Sequence, residues 1–332
     1  MSTDNLIPAA TVMMLRDTPE GPEVFMVVRH HEIDFASGAL VFPGGKLDPA
    51  DTDAGLRAHC AKADAYDDKD LALRVASIRE SFEECGILLA REKGSDDFIS
   101  AARLQQLEGW REKFNQGEAT MADFAAAENL EFAVDALAFF AHWITPKNMK
   151  RRFDTYFYMA RAPEDHVGLH DGSESVDSVW ITAKQALADA DAQKRTVIFP
   201  TRMNIEKFAK RASVDDALAQ CGEVVTVVPF MEKEGDKTYL RIQTEAGYGD
   251  PKMDVSRGLM RRRLAHADFD DIAKFAIISH GTNRAFIGLE GGKSHFGGLG
   301  QKRATPAPWA KRRYRRERQK LRINGQNRPM RR

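Results

Sequence analysis

The chain has 332 residues, and its 49 Lys and Arg against 49 Asp and Glu give a formal net charge of zero with 43% hydrophobic residues. That length allows a sizeable core, as one large domain with an appendage or as two small domains. No apolar run approaches the roughly twenty residues of a membrane span, and the N-terminus shows neither a basic n-region nor a small-residue cleavage site, so membrane insertion and export are not expected.

Neutrality hides an asymmetry. Residues 255–332 hold 20 Lys and Arg against 5 Asp and Glu, a balance of +15, which leaves −15 for residues 1–254. Cys60, Cys85 and Cys221 are widely spaced and make no zinc pattern, so reduced thiols in a cytoplasmic setting are expected.

In chain order, Ala9 to Leu15 and Glu23 to Arg29 are β-rich runs around the turn Arg16–Pro22 and predict a hairpin. Ala39 to Phe42 is a short strand that enters Pro43-Gly44-Gly45. Those glycines let backbone carbonyls approach a ligand, although a tight turn alone would also account for them. Leu71, Val75, Ile78 and Phe82 follow at intervals of four, three and four, which predicts an amphipathic helix ended by Gly86. From Asp96 to Ala141 the apolar positions, among them Phe98, Leu107, Phe124, Phe132 and Phe140, read as a helical insert beside a sheet. Phe153 to Met159 and Val176 to Ile181 read as strands, with Thr182 capping a helix after the second. Pro200-Thr201 opens another helix through Phe208. Glu223 to Phe230 and Thr238 to Gln243 read as strands around the turn Glu234–Asp236. Intermixed strands and helices mean α/β or α+β, without coiled coil or solenoid repeats.

The polar face of the Leu71–Gly86 helix carries Glu80, Glu83 and Glu84 at i, i+3 and i+4. Like charges so placed cost a few tenths of a kcal/mol per pair, roughly, and a divalent cation would compensate them. A solvated acidic face is the plainer alternative.

Arg79-Glu80-Ser81-Phe82-Glu83-Glu84-Cys85-Gly86-Ile87 resembles the second half of the Nudix box, and Gly45 followed six positions later by Asp51 resembles its first half. Asp51 stands for the usual Glu, Ser81 stands for an apolar residue, and Thr52 to Ile78 replaces a short spacer. That stretch reads as a loop insertion of roughly twenty residues, tolerable at about 1 kcal/mol or less of closure entropy. FPGGKLDPAD, IRESFEECGILL and HWITPKNMKRRFDTYFYMA together resemble the Nudix subgroup that includes the peroxisomal coenzyme A diphosphatases, over most of residues 8–212.

The resemblance implies a Nudix α/β/α sandwich with a mixed sheet in residues 1–250; the charge and glycine content of residues 255–332 read as a basic, flexible C-terminal extension outside it. It implies Mg²⁺ or Mn²⁺ held by Gly45, Glu80, Glu83 and Glu84, with Glu80 as a ligand or as the general base. Arg79 would pair with Asp51 beside these catalytic groups as a scaffold. Arg29 to Gly45 holds Arg, Gly and Phe-Pro-Gly-Gly at the spacing of a coenzyme A signature, with Asp34 in the place of its second arginine. Arg29, and Lys147, Lys150, Arg151 and Arg152 of the basic run, are the expected substrate contacts, unless that run is a solvated loop. Glu174 is a further candidate ligand or base. His30, His31 and Trp143 would contact a base or else be surface histidines and a packed tryptophan.

The implied reaction is metal-dependent hydrolysis of a nucleoside diphosphate linked to another moiety, with coenzyme A or acyl-coenzyme A favoured. An ADP-ribose or dinucleotide pyrophosphatase is the enzyme alternative. A catalytically silent module that binds nucleotide or RNA is the other alternative. The C-terminus Pro329-Met330-Arg331-Arg332 differs from a peroxisomal targeting tail, and a cytoplasmic location is expected. Lys302 to Arg322 is strongly basic with Trp309 and Tyr314 interleaved, which suits nucleic-acid contact or an embrace of the acidic part of the chain.

Overall fold

Side chains along Leu6–Arg16 alternate between two buried faces. Ala10, Val12 and Met14 belong to one apolar cluster, Met13 and Leu15 to another, and all five are fully buried. A strand covered on both sides reads as a continuous apolar run, as this one does. It is β1 (Leu6–Arg16), an inner strand of a mixed sheet in a computed structural model that describes residues 6–29, 39–147, 149, 151–168 and 175–256. All of these fall within one compact unit, Met1–Thr282.

β2 (Glu23–Arg29) returns antiparallel to β1 after a turn in which Thr18 and Gly21 exchange backbone hydrogen bonds of 3.2 and 3.0 Å. β3 (Leu40–Val41) pairs with β2, and β4 (Gly44–Lys46) pairs back onto β1. Next come α1 (Asp68–Cys85) and β5 (Ala90–Glu92), then the short helices α2 (Ala101–Leu107), α3 (Gly109–Gln116) and α4 (Met121–Glu128). β6 (Leu130–Phe132) pairs with β5 in a separate ribbon. β7 (Ala138–Ile144) is antiparallel to β8 (Arg152–Arg161), and β8 runs parallel to β1.

β9 (Ser175–Thr182) pairs with β2, and its Thr182 accepts the Gln185 N–H to cap α5 (Ala183–Asp191). α6 (Phe199–Phe208), α7 (Val214–Ala219) and β10 (Thr226–Val227) follow, with β10 parallel to β7 at the sheet edge. β11 (Phe230–Glu234), β12 (Lys237–Arg241) and β13 (Lys252–Asp254) make a separate three-stranded sheet.

Helices cover both faces of the main sheet. Leu73, Ile78 and Phe82 of α1 join Phe114 and Phe124 of the insert on one side, while Ala186, Met203, Phe208 and Ala217 of α5 to α7 fill the other. This is the expected α/β/α arrangement. No helix among the described residues is long and apolar enough to cross a membrane.

Three expectations need correction. The stretch 52–78 is not a loop throughout: three 3-10 turns span Pro49–Thr52, Ala54–His59 and Ala63–Ala65, and α1 begins at Asp68 because Asp67 caps it by accepting the Asp70 N–H. The helical insert ends at Glu128, since Asn129 adopts φ 53° and turns the chain into β6 and then β7. Phe132, Phe139 and Phe140 are therefore strand residues. The strand expected over Glu223–Phe230 is only two residues of β10, and the hairpin strand begins at Phe230.

The folded part also extends past Asp250. β13 pairs with β12, Met253 and Val255 are buried, and Thr238 receives the Val255 N–H at 2.9 Å. A chain ending after Ser256 is expected to melt cooperatively at close to the full-length temperature. One ending at Asp250 should melt several degrees lower, because it loses two buried side chains and a strand. Equal melting temperatures for the two truncations would refute this boundary.

Candidate active site

Every apolar position that predicted α1 is buried: Leu71, Val75, Ile78 and Phe82 face the core. Gly86 ends the helix in a left-handed conformation at φ 63°, and its N–H reaches the carbonyls of Phe82 and Ser81. Ser81 occupies the usually apolar slot of the box and is fully buried. Its hydroxyl donates to the Ile87 carbonyl at 2.9 Å, so the polar atom is satisfied.

The carboxylates on the other side of α1 meet the glycine strand β4. A Cβ added to Gly45 would lie 2.3 Å from Glu80 Oε1, and one added to Gly44 would lie 2.4 Å from the Ala10 carbonyl oxygen. The Gly44 N–H donates to Glu84 Oε2 at 3.1 Å. Gly44 and Gly45 are therefore glycines because backbone and carboxylate approach them too closely for a side chain. Glu84 is only 7% exposed, so its charge sits in a restricted, water-poor place.

Arg79 organises the rest. Its Nε and one terminal nitrogen donate to the two oxygens of Asp51, both at 2.9 Å, which is a bidentate fork. The same terminal nitrogen reaches the Lys46 carbonyl at 3.0 Å, and the other donates to Glu80 Oε1 at 2.9 Å and Glu83 Oε1 at 3.2 Å. Burial of the guanidinium opposes its charge, but Glu80, Asp51 and Glu83 outweigh burial and raise its pKa above the ordinary arginine value. Asp51, whose side chain is 1% exposed, also accepts the Asp48 N–H at 2.8 Å. It faces Arg79 and the backbone of its own turn, so it is placed as a brace and not as a group open to substrate.

Glu80 lies against Gly45 and Glu84 against Gly44, and carboxylate oxygens are donors of the kind hard divalent cations select. Gly45, where a Cβ would collide with Glu80, keeps the backbone close to that carboxylate and fits such a use. Among the described residues no group of three His, Cys, Asp or Glu side chains is gathered tightly enough to hold an ion, and here Arg79 balances Glu80 and Glu83.

The expected substrate contacts are distributed unevenly. Lys147 and Arg151 are exposed in the β7–β8 connection, Arg151 lying 5.8 Å over the Phe153 ring. Arg152 departs from the expectation: it is 7% exposed within β8 and its Nε donates to the Thr145 carbonyl at 3.0 Å, so it packs the strand pair together. Trp143 is a core residue, 4% exposed, with its indole N–H on the Tyr248 hydroxyl at 3.1 Å. Arg29 ends β2, and its side chain lies outside the described residues, as do His30, His31, Asp34, Lys150, Glu174 and the basic C-terminal stretch. The Gly44 N–H on Glu84 and the Lys46 carbonyl on Arg79 were not legible beforehand, because backbone groups leave no mark in a sequence.

A family model described as the NUDT19 Nudix domain matches residues 57–206, a span that holds Arg79, Glu80, Glu83 and Glu84 but neither Gly45 nor Asp51. The chain is 26% identical over 241 residues to the Homo sapiens protein named acyl-coenzyme A diphosphatase NUDT19, covering 61% of this chain and 64% of that protein. It is 27% identical over 194 residues to the Caenorhabditis elegans putative nudix hydrolase 7, covering 56% and 55%. The chain thus spans less than two thirds of the length of these curated relatives. The crystal structure of a NUDIX hydrolase from Alicyclobacillus acidocaldarius superimposes with a TM-score of 0.55 at 25% identity, covering 67% of this chain and 99% of that one. In fold and over the matched spans the chain is similar to the Nudix hydrolases, and among them to the coenzyme A diphosphatases.

Proposed function

We propose that the chain hydrolyses the diphosphate of coenzyme A or an acyl-coenzyme A in a reaction dependent on Mg²⁺ or Mn²⁺. The observation that carries this reading is Glu80 and Glu84 beside the Gly44-Gly45 backbone, with Glu83 sharing Arg79 with Glu80, on a helix braced by Arg79 and Asp51. The curated relative named acyl-coenzyme A diphosphatase supplies the substrate class. A divalent cation held there would supply charge to neutralise diphosphate oxygens and to lower the pKa of the attacking water. Glu80 would take the proton of the attacking water or share in holding the ion, and Glu83 and Glu84 would fix the ion's position. Arg79 and Asp51 keep β4, the 3-10 turn and α1 in register without touching substrate.

Strand register gives a scale for the substrate. Gly45 pairs with Ala10 on β1, Ala10 pairs with Tyr156 on β8, and Arg152 lies four residues further along β8. At about 3.3 Å per residue Arg152, the last residue of the basic run, is on the order of 13 Å along the strand from the level of Gly45. Only an extended substrate reaches both places. Lys147 and Arg151, exposed at that end, would hold a terminal phosphate such as the 3′-phosphate of coenzyme A through charge-assisted hydrogen bonds.

A panel of coenzyme A, acyl-coenzyme A, ADP-ribose and dinucleotides, each with Mg²⁺ and with Mn²⁺, tests the reading. Coenzyme A should give 3′,5′-ADP and a phosphopantetheine product. Dephospho-coenzyme A should be poorer by about 1–3 kcal/mol in transition-state binding, seen as a lower kcat/KM. Faster hydrolysis of ADP-ribose than of coenzyme A would replace this substrate assignment.

A further inference from the structure

The last two turns of α1 hold Glu80, Glu83 and Glu84, and the helix has no basic residue in its last turn. Negative charge at a helix C-terminus opposes the macrodipole, and the final carbonyls lack partners within the helix. Two of those carbonyls are met locally, since the Gly86 N–H reaches Phe82 and Ser81 and the Ile87 N–H reaches Ser81 at 3.4 Å. The Glu83 carbonyl is met from another element. Arg111 of α3 donates to it twice, from Nε at 3.3 Å and from a terminal nitrogen at 3.0 Å. Its other terminal nitrogen is held by Glu108 at 2.7 Å.

The guanidinium lies against Gly86, where an added Cβ would come within 3.1 Å of it. Gly86 thus serves twice: it adopts the left-handed cap and leaves room for a cation over the helix end. α3 is fixed there by packing, because Phe114 meets Phe82 edge-on at 6.1 Å and meets Phe124 at 5.5 Å, while Phe82 stacks on Phe124 at 5.5 Å. Arg111 is itself mostly buried, with its side chain 13% exposed, so its charge acts at short range with little screening.

We infer that Arg111, contributed by the helical insert, is a positioning residue for the carboxylate site: it holds the final turn of α1 so that Glu83 and Glu84 stay where an ion can use them. This rests on the proposed metal site and adds to it a residue 28 positions away from Glu83 in the chain. The insert is then part of the site's construction and not an ornament beside it.

The test uses the full-length chain with Arg111→Met, Arg111→Lys and, as a control, Glu108→Gln, which removes the charge of the other partner of Arg111 without touching the Glu83 carbonyl. Mn²⁺ titration calorimetry without substrate should show the dissociation constant raised roughly tenfold in Arg111→Met, as for other groups that support metal ligands. Arg111→Lys should recover much of this, and Glu108→Gln should stay near wild type. Hydrogen exchange in the metal-free protein should be faster at amides 83–88 in Arg111→Met, while exchange in β1 and β8 is unchanged. Unaltered Mn²⁺ affinity in Arg111→Met, even with a lower melting temperature, would overturn the inference and leave only a structural role. Unaltered exchange at 83–88 would overturn it without reference to any metal. A wild-type chain that binds no Mn²⁺ would instead sink the metal site itself, and the functional part of the inference with it.

Discussion

Glu84→Gln is expected to lower kcat by a factor on the order of a hundred or more while leaving the fold intact. The fold should survive because the amide keeps an oxygen that can accept the Gly44 N–H, the contact Glu84 makes at 3.1 Å. Activity should not, because a neutral oxygen is a far poorer ligand for a hard dication than a carboxylate. The same variant separates binding from stability. An ion held only by the folded site stabilises it, so Mg²⁺ should raise the melting temperature of the wild type, by about 2.7 kcal/mol of stabilisation at a hundred times its dissociation constant. Glu84→Gln should lose most of that shift. Wild-type kcat at saturating Mg²⁺ in the variant, or a wild type whose melting temperature ignores millimolar Mg²⁺, would remove the metal reading.

What was legible in the sequence follows from how far each signal reaches along the chain. The β1–β2 hairpin, β8 and the core face of α1 carry regular apolar periodicity over seven or more residues, and all were placed correctly. The start of α1 was set late because its first turn, Asp68-Lys69-Asp70, has no apolar residue, and only the Asp67 cap marks it. Residues 130–144 misled because a dense aromatic run fits a buried helix and a buried strand equally well, and Asn129 in the left-handed region decides between them. β4 could not be read, since two of its three residues are glycines chosen for close approach to Ala10 and Glu80. Within the site, the carboxylates were legible as a motif. Arg152 was misjudged because a charge in a basic run gives no sign that it will be buried against a carbonyl. Arg111 left no signal at all, because its partner is a backbone oxygen on another helix.

The Arg79–Asp51 pair is the place where site and stability meet, and it gives the largest expected effect on folding. Asp51 is 1% and Arg79 12% exposed on their side chains, so removing one partner leaves a desolvated charge without its compensation. Such a loss costs about 3–5 kcal/mol. Arg79→Met should therefore lower the melting temperature by on the order of 10 °C, since about 2–4 °C accompanies each kcal/mol in a domain of this size. Arg79→Lys should rescue little, because an ammonium cannot donate in parallel to both Asp51 oxygens and still reach Lys46, Glu80 and Glu83. The double variant with Asp51→Asn should be less destabilised than the two single losses added together, as partners in one network are not independent. With Arg79 gone, Glu80 and Glu83 lose its charge, so added Mg²⁺ should stabilise Arg79→Met by more degrees than it stabilises the wild type. Thermal melts of the wild type and the four variants with and without Mg²⁺ decide it, and strict additivity of Arg79→Met with Asp51→Asn would mean that the bidentate contact does not hold β4 and α1 together.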